Sequence, residues 1–237
     1  MNANLIPENE AARLQAVARY RNLGTIHEPV FDELVKMAAS LCRVPICFLS
    51  LVEAETVWFR YTAGWTGAEH LARDFSLCSV AILHDQATIF EDLHKDPCQL
   101  IQSAEINLLN LQFFVGIPLK TQDGYNIGVL AIADHRPQTP FIEDRLLLEA
   151  YARLIICLLD LYRAAAHNAP LDSSLYDAVE DSIRWMQKLT ALLTRNTMAS
   201  AAETNRVKEE IGKEADAMAR QLHQTLGSWQ QPSSGAA

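Results

Sequence analysis

At 237 residues, 49% of them hydrophobic and 21% charged, the chain has material for one domain and a smaller appendage, since domains commonly run to roughly 100–150 residues. A net charge of −9 without any cluster of Lys and Arg argues against a nucleic-acid surface, because phosphate contacts need concentrated positive charge. The five cysteines (Cys42, Cys47, Cys78, Cys98 and Cys157) are odd in number and contain no C-x-x-C pair. That pattern argues against a disulfide frame or a zinc site and fits reduced thiols in a cytoplasmic protein.

Residues 1–10 are polar and acidic, with no apolar centre of a signal peptide. Residues 9–23 predict a helix that turns Leu14, Val17 and Ala18 to one face and stops at Gly24. A second helix follows Glu28-Pro29, with Phe31, Leu34, Val35, Ala38 and Leu41 at the three-and-four spacing of a buried stripe, and Pro45 closes that pattern. The dense apolar run 46–52 predicts a central strand covered on both faces. After an acidic turn at 53–55, residues 56–63 predict an antiparallel neighbour, closed by Gly64. A loop over 65–74, a short helix over 76–83, a strand over 88–93 and a helical turn opened by Asp96-Pro97 come next.

Asp123-Gly124 between apolar runs at 112–120 and 125–134 is a strong hairpin signal. Thr139 then caps a helix whose first position is Pro140 and which runs to about residue 166. Its most apolar part, 146–161, is interrupted by Glu149, Arg153 and Asp160, as in a buried amphipathic helix rather than a membrane span. Helices bracketing a mostly antiparallel sheet predict an α+β domain of α/β/α layers over residues 8–168.

From 172 to 227 there is no proline and only one internal glycine, Gly212, among abundant Ala, Glu, Lys and Arg. Val179, Ile183, Met186, Leu189 and Leu193 form one apolar seam, and Val207, Ile211, Met218 and Leu222 a weaker one. The polar stretch 194–205 gives either a bend and a helical hairpin or one continuous rod of roughly 80 Å. Either seam needs a partner helix, in cis or in a second copy, as in a coiled coil. Residues 228–237 read as disordered.

Several segments carry a family resemblance. They are Ala12-Arg13-Leu14, Leu23-Gly24-Thr25-Ile26 and Glu28-Pro29-Val30-Phe31-Asp32-Glu33-Leu34, then the run from Val44-Pro45 to Val52 followed by Val57-Trp58-Phe59. Arg73-Asp74-Phe75-Ser76-Leu77-Cys78, Phe113-Phe114-Val115-Gly116-Ile117-Pro118-Leu119, Asp123-Gly124-Tyr125-Asn126-Ile127-Gly128 and Ala133-Asp134 continue it in the same order. Together, over about residues 8–165, they resemble the GAF domain, in the branch found in bacterial sensor kinases and cyclic-dinucleotide enzymes. The resemblance implies a GAF-like α/β/α fold and a sensory role without catalysis; joined to the partner-seeking tail, it leads to the expectation of a homodimer through the first and last helices of the domain, continued into the tail. It names no cofactor. Val80 stands where the family segment usually has His, and Asp96-Pro97-Cys98 where it often has Asn-Pro. The tail carries no family resemblance of this kind, and the chain has no phospho-accepting histidine box, no Gly-Gly-Asp/Glu-Glu-Phe run and no DNA-reading helix-turn-helix.

Candidate ligand-binding residues are Trp58, Phe59, Asp74, Phe75, Cys78, Asp92 and Phe113, an aromatic set with a thiol and two carboxylates. Each has a structural reading beside it: the aromatics as plain core, Cys78 as a small buried hydrophobe, and Arg73-Asp74 as a loop-anchoring ion pair in which Asp74 neutralises Arg73. His84, His94 and His135 have no partner at helical spacing for a metal, and Asp85, Glu91 and Asp92 gather near a strand end where carboxylates are commonly solvated. The leading expectation is a signalling module with no catalytic residue, without nucleic-acid or membrane partners, acting as a homodimer or on a signalling protein. The alternatives are a thiol enzyme or redox sensor centred on Cys78, and a ligand-free adaptor that binds through its tail.

Overall fold

Asp123-Gly124 turns the chain between two strands, β5 (Phe113–Lys120) and β6 (Asn126–Asp134). Gly124 takes φ +89°, a left-handed value that glycine adopts without a Cβ clash. The computed structural model describes residues 2–21, 28–166, 172–196 and 198–227; Gly24 as a helix stop and disorder over 228–237 lie outside the described residues. The remaining strands are β1 (Ile46–Val52), β2 (Thr56–Ala63), β3 (His70–Ala72) and β4 (Thr88–Phe90). They form one six-stranded sheet in the order β3-β2-β1-β6-β5-β4, with every ladder antiparallel.

β1 and β6 are central and buried along their whole length. Their side chains alternate between two cores, as the period of two requires. Cys47, Leu49 and Leu51 face one side, and Ile46, Phe48 and Val52 the other. Gly128 lies where β6 passes close to β1: a Cβ there would sit 2.0 Å from the Ser50 carbonyl oxygen. The first face is covered by α1 (Glu10–Arg21), α2 (Pro29–Cys42) and α5 (Ile142–Ala166), and the second by α3 (Leu77–Ala81), α4 (Ala104–Leu108) and their loops. The layered α+β fold is the expected one.

Local expectations fail in four places. In α1 the buried face is Arg13, Ala16, Val17 and Tyr20 rather than Leu14, Val17 and Ala18, because Arg13 and Tyr20 bring hydrogen-bond partners inward with them. The loop over 65–74 contains the edge strand β3, too short to show alternation and aligned only by pairing with β2. The turn near Asp96 precedes Pro97, and the helix is α4, several residues later. Finally, α5 starts at Ile142. Asp144 accepts the Phe141 backbone N–H at 3.0 Å, in the manner of a capping box, while Thr139 donates to Glu91 instead.

The tail is a hairpin of α6 (Ser173–Arg195) and α7 (Ala201–Gly227), not a rod. Asp172 caps α6 by accepting from the Ser174 N–H. Val179, Ile183 and Met186 are buried, as are Ile211, Met218 and Leu222, whereas Leu189, Leu193 and Val207 are half-buried. The seams are satisfied in cis. Gln187 of α6 donates to Glu33 of α2 at 2.8 Å, and Arg153 of α5 meets Asp216 of α7 at 2.8 Å. Asp144–Lys208 and Arg153–Asp216 advance together along the two helices, so α7 runs parallel to α5. No helix among the described residues is long and apolar enough to cross a membrane.

Candidate functional site

The expected ligand residues divide between the two faces of the sheet. Trp58 and Phe59 are adjacent on β2, so their side chains point to opposite sides. Phe59, Phe75 and Cys78 come together on the α3 side, where they line a cavity of about 20 Å³. That is room for about one water molecule. The chain fills the rest itself: Trp65 stacks on Phe59 with ring centroids 4.5 Å apart, and Phe48 meets both rings edge-on at 5.0 and 5.1 Å.

Cys78 is 1% exposed in this core. Its backbone N–H donates to Ser76 Oγ, which caps α3. Burial pushes the thiol pKa up to about 11, so the nucleophilic thiolate is scarce at neutral pH.

Asp74, Asp92 and Phe113 lie elsewhere. Asp74 accepts from the Asn2 N–H at 2.8 Å. Asp92 holds a turn by accepting from the N–H groups of His94 and Lys95 and pairs with the Lys95 ammonium at 2.9 Å. Phe113 is core on the helical side. The ion-pair partner of Arg73 is Glu10 rather than Asp74, at 2.5 Å, and Arg73 also donates to the Leu5 carbonyl. Glu10 is shared, since Arg13 binds it at 2.6 Å and reaches the Val52 carbonyl at 2.7 Å. Burial opposes ionisation of Glu10, but the two guanidinium groups outweigh it and hold the carboxyl below its ordinary range. Arg73 therefore anchors the N-terminal segment to the sheet edge. Among the described residues no group of three or more His, Cys, Asp or Glu side chains could hold a metal ion.

Trp58 belongs to a different and larger cavity of about 280 Å³, between β1–β2 and the helical layer. Among the described residues, five aromatic rings line it: Tyr20, Phe31, Trp58, Tyr61 and Tyr162. Phe31 lies 4.9 Å from Tyr61 and 5.9 Å from Tyr162, centroid to centroid. Leu49, Leu51 and Leu159 complete the apolar wall, and Glu28 and Arg60 bring charge to it. A β-bulge makes this wall. Leu49 pairs with Tyr61 but Ser50 pairs with Phe59, so Arg60 is an extra residue on β2. The bulge reverses the alternation beyond it, which lets both Trp58 and Tyr61 face the helices while Phe59 faces away. The Arg60 guanidinium lies 5.0 Å from the Trp58 ring centre and 5.3 Å from that of Tyr61. Tyr20 donates to Asp160 at 2.8 Å. Burial and the neighbouring Glu28 push the Tyr162 hydroxyl pKa well up.

Sequence reasoning reaches only Trp58 of this lining. The other rings come from α1, α2, the far side of the bulge and the end of α5, and no local spacing links them.

The GAF domain family model matches residues 27–159. The chain is 30% identical over 159 residues to a cyclic di-GMP phosphodiesterase of Pseudomonas aeruginosa, a match covering 67% of this chain and 27% of that protein. The chain thus spans about a quarter of that relative's length. Among solved structures, the GAF domain of an Acinetobacter phosphoenolpyruvate-protein phosphotransferase aligns with TM-score 0.44 and 18% identity, over 66% of this chain and 96% of that one. The GAF-B domain of DevS from Mycobacterium smegmatis aligns with TM-score 0.44 and 16% identity, over 59% and 96%. With more than half of its length matched by the family model, and with its antiparallel sheet between helical layers, the chain belongs to the GAF domain family.

Proposed function

We propose that the chain is a non-catalytic signalling module in which the cavity on the helical side of the sheet receives the input and the α6–α7 hairpin delivers the output. One observation carries this reading: the same two helices build the cavity and hold the tail. α2 supplies Phe31 to the cavity and Glu33 to α6. α5 supplies Leu159 and Tyr162 to the cavity and Asp144 and Arg153 to α7. A ligand that shifts α2 or α5 changes the fit of the hairpin, and a packed interface of this kind answers by exchanging one arrangement for another. When the hairpin leaves, the apolar faces of α2 and α5 become available to a second copy, a dimer seam that differs from the expected one by using α2 in place of the first helix, α1, and by excluding the tail.

The test is light scattering on the full chain and on Lys208→Glu, which sets like charges together at Asp144. The expected result is a monomer for the parent and a dimer for the variant at tens of micromolar. A parent that is already dimeric with its hairpin docked, or a well-folded variant that stays monomeric, sinks the switch.

The thiol-enzyme alternative finds little support in a Cys78 that is deeply buried and held protonated. The adaptor alternative keeps the hairpin as a binding element but gives the aromatic cavity no role.

A further inference from the structure

The polar chemistry of the 280 Å³ cavity has a direction. The Tyr20 proton is committed to Asp160, and the Glu28 carboxylate lies near enough to the Tyr162 hydroxyl to oppose its ionisation. A tyrosine oxygen that has given its proton away keeps lone pairs. The Tyr20 oxygen and the Glu28 carboxylate therefore offer acceptors. The Glu28 backbone N–H is directed at the Tyr61 oxygen at 3.5 Å. Arg60, the one cationic side chain among the described residues of the wall, is spread over Trp58 and Tyr61, which shows that these ring faces accommodate positive charge. At Tyr61 the field of Arg60 is opposed by those of Glu28 and Asp32. A cavity walled by rings and carrying the Glu28 carboxylate suits a cation, because the face of an aromatic ring is its negative part.

We infer that this cavity binds a small organic cation: a primary or methylated ammonium on an aromatic or short aliphatic body, with the ammonium at Glu28 and the body among Phe31, Trp58, Leu49 and Leu159. The size is consistent, since an apolar cavity of about 150 Å³ takes benzene, and the additional volume here leaves space for a short chain and its charged end. The inference rests on the reading that the cavity is the input site.

Three probes sharing one frame test it by calorimetric titration of the full chain: 2-phenylethylamine, phenylacetate and 2-phenylethanol. The amine is expected to bind at least about tenfold more tightly than either of the others. Glu28→Gln is expected to remove that preference while leaving the thermal midpoint close to that of the parent. If Glu28→Gln does not fold, the ranking of the three probes on the parent still decides. Equal or tighter binding of the acid or the alcohol overturns the inference, as does an absence of binding by all three at millimolar concentration. Amine binding that leaves hydrogen exchange in α7 unchanged upholds the ligand class and sinks the relay. Acid binding that loosens α7 does the reverse.

Discussion

Lys208 on α7 donates to Asp144 on α5 at 2.5 Å, with side chains only 4% and 8% exposed. The second carboxylate oxygen of Asp144 takes the Phe141 N–H that opens α5. One buried carboxylate thus starts the last helix of the domain and fixes the register of the tail upon it. Desolvation offsets much of the attraction in such a pair, so its larger effect is on which packing is allowed.

Removing one partner alone leaves a buried charge uncompensated. Lys208→Ala is expected to lower unfolding stability by about 3–5 kcal/mol, read by urea denaturation. Replacing both residues with apolar ones of similar volume is expected to recover most of that loss. A single substitution costing under about 1 kcal/mol would place the pair in solvent, contrary to its burial.

Glu10 gives the acid-side counterpart. Its carboxyl is held below the ordinary value of 4.5 by Arg13 and Arg73, against the opposing effect of burial. The unfolded state therefore protonates first as pH falls, so the stabilisation is full above about 4.5 and is lost as pH drops through the lower folded value. Glu10→Gln is expected to destabilise the chain at neutral pH and to flatten the decline of melting temperature in acid. A melting curve as steep in the variant as in the parent would assign that decline to other groups.

Cys78 makes a prediction of opposite sign. Burial raises its thiol pKa from 9.0 to about 11. The unfolded state deprotonates first as pH rises, so this contribution is intact below about 9 and is lost between 9 and 11. At neutral pH, alkylation is expected first at half-buried Cys98 and last at the buried thiols, Cys78 among them, as mass spectrometry of the labelled peptides can show. Cys78 reacting as quickly as in denaturant would revive the thiol mechanism.

The fold was legible wherever the signal was local. The Asp123-Gly124 ribbon, the stripe of α2 and the apolar run of β1 each carry their own period, and each forms as expected. The tail's seams pointed to a missing partner, but which surface supplied it depends on contacts such as Lys208–Asp144, 64 positions apart in the sequence. The site was less legible for a related reason. Reading Trp58 and Phe59 as one pocket ignores the pleat of a strand, and the bulge at Arg60 that brings Tyr61 round to the Trp58 side is visible only in the pairing with β1. Arg13 and Tyr20 fall outside the face expected for α1, and their burial is explained by Glu10 and Asp160 beside them.

Hydrogen exchange of the full chain, followed peptide by peptide, tests the docked hairpin most directly. Amides around Ile211 and Leu222 are expected to exchange as slowly as those of α5, and to lose protection together in Lys208→Glu while β1 and β6 keep theirs. An α7 that exchanges in the parent chain at the rate of an unstructured peptide would contradict the account.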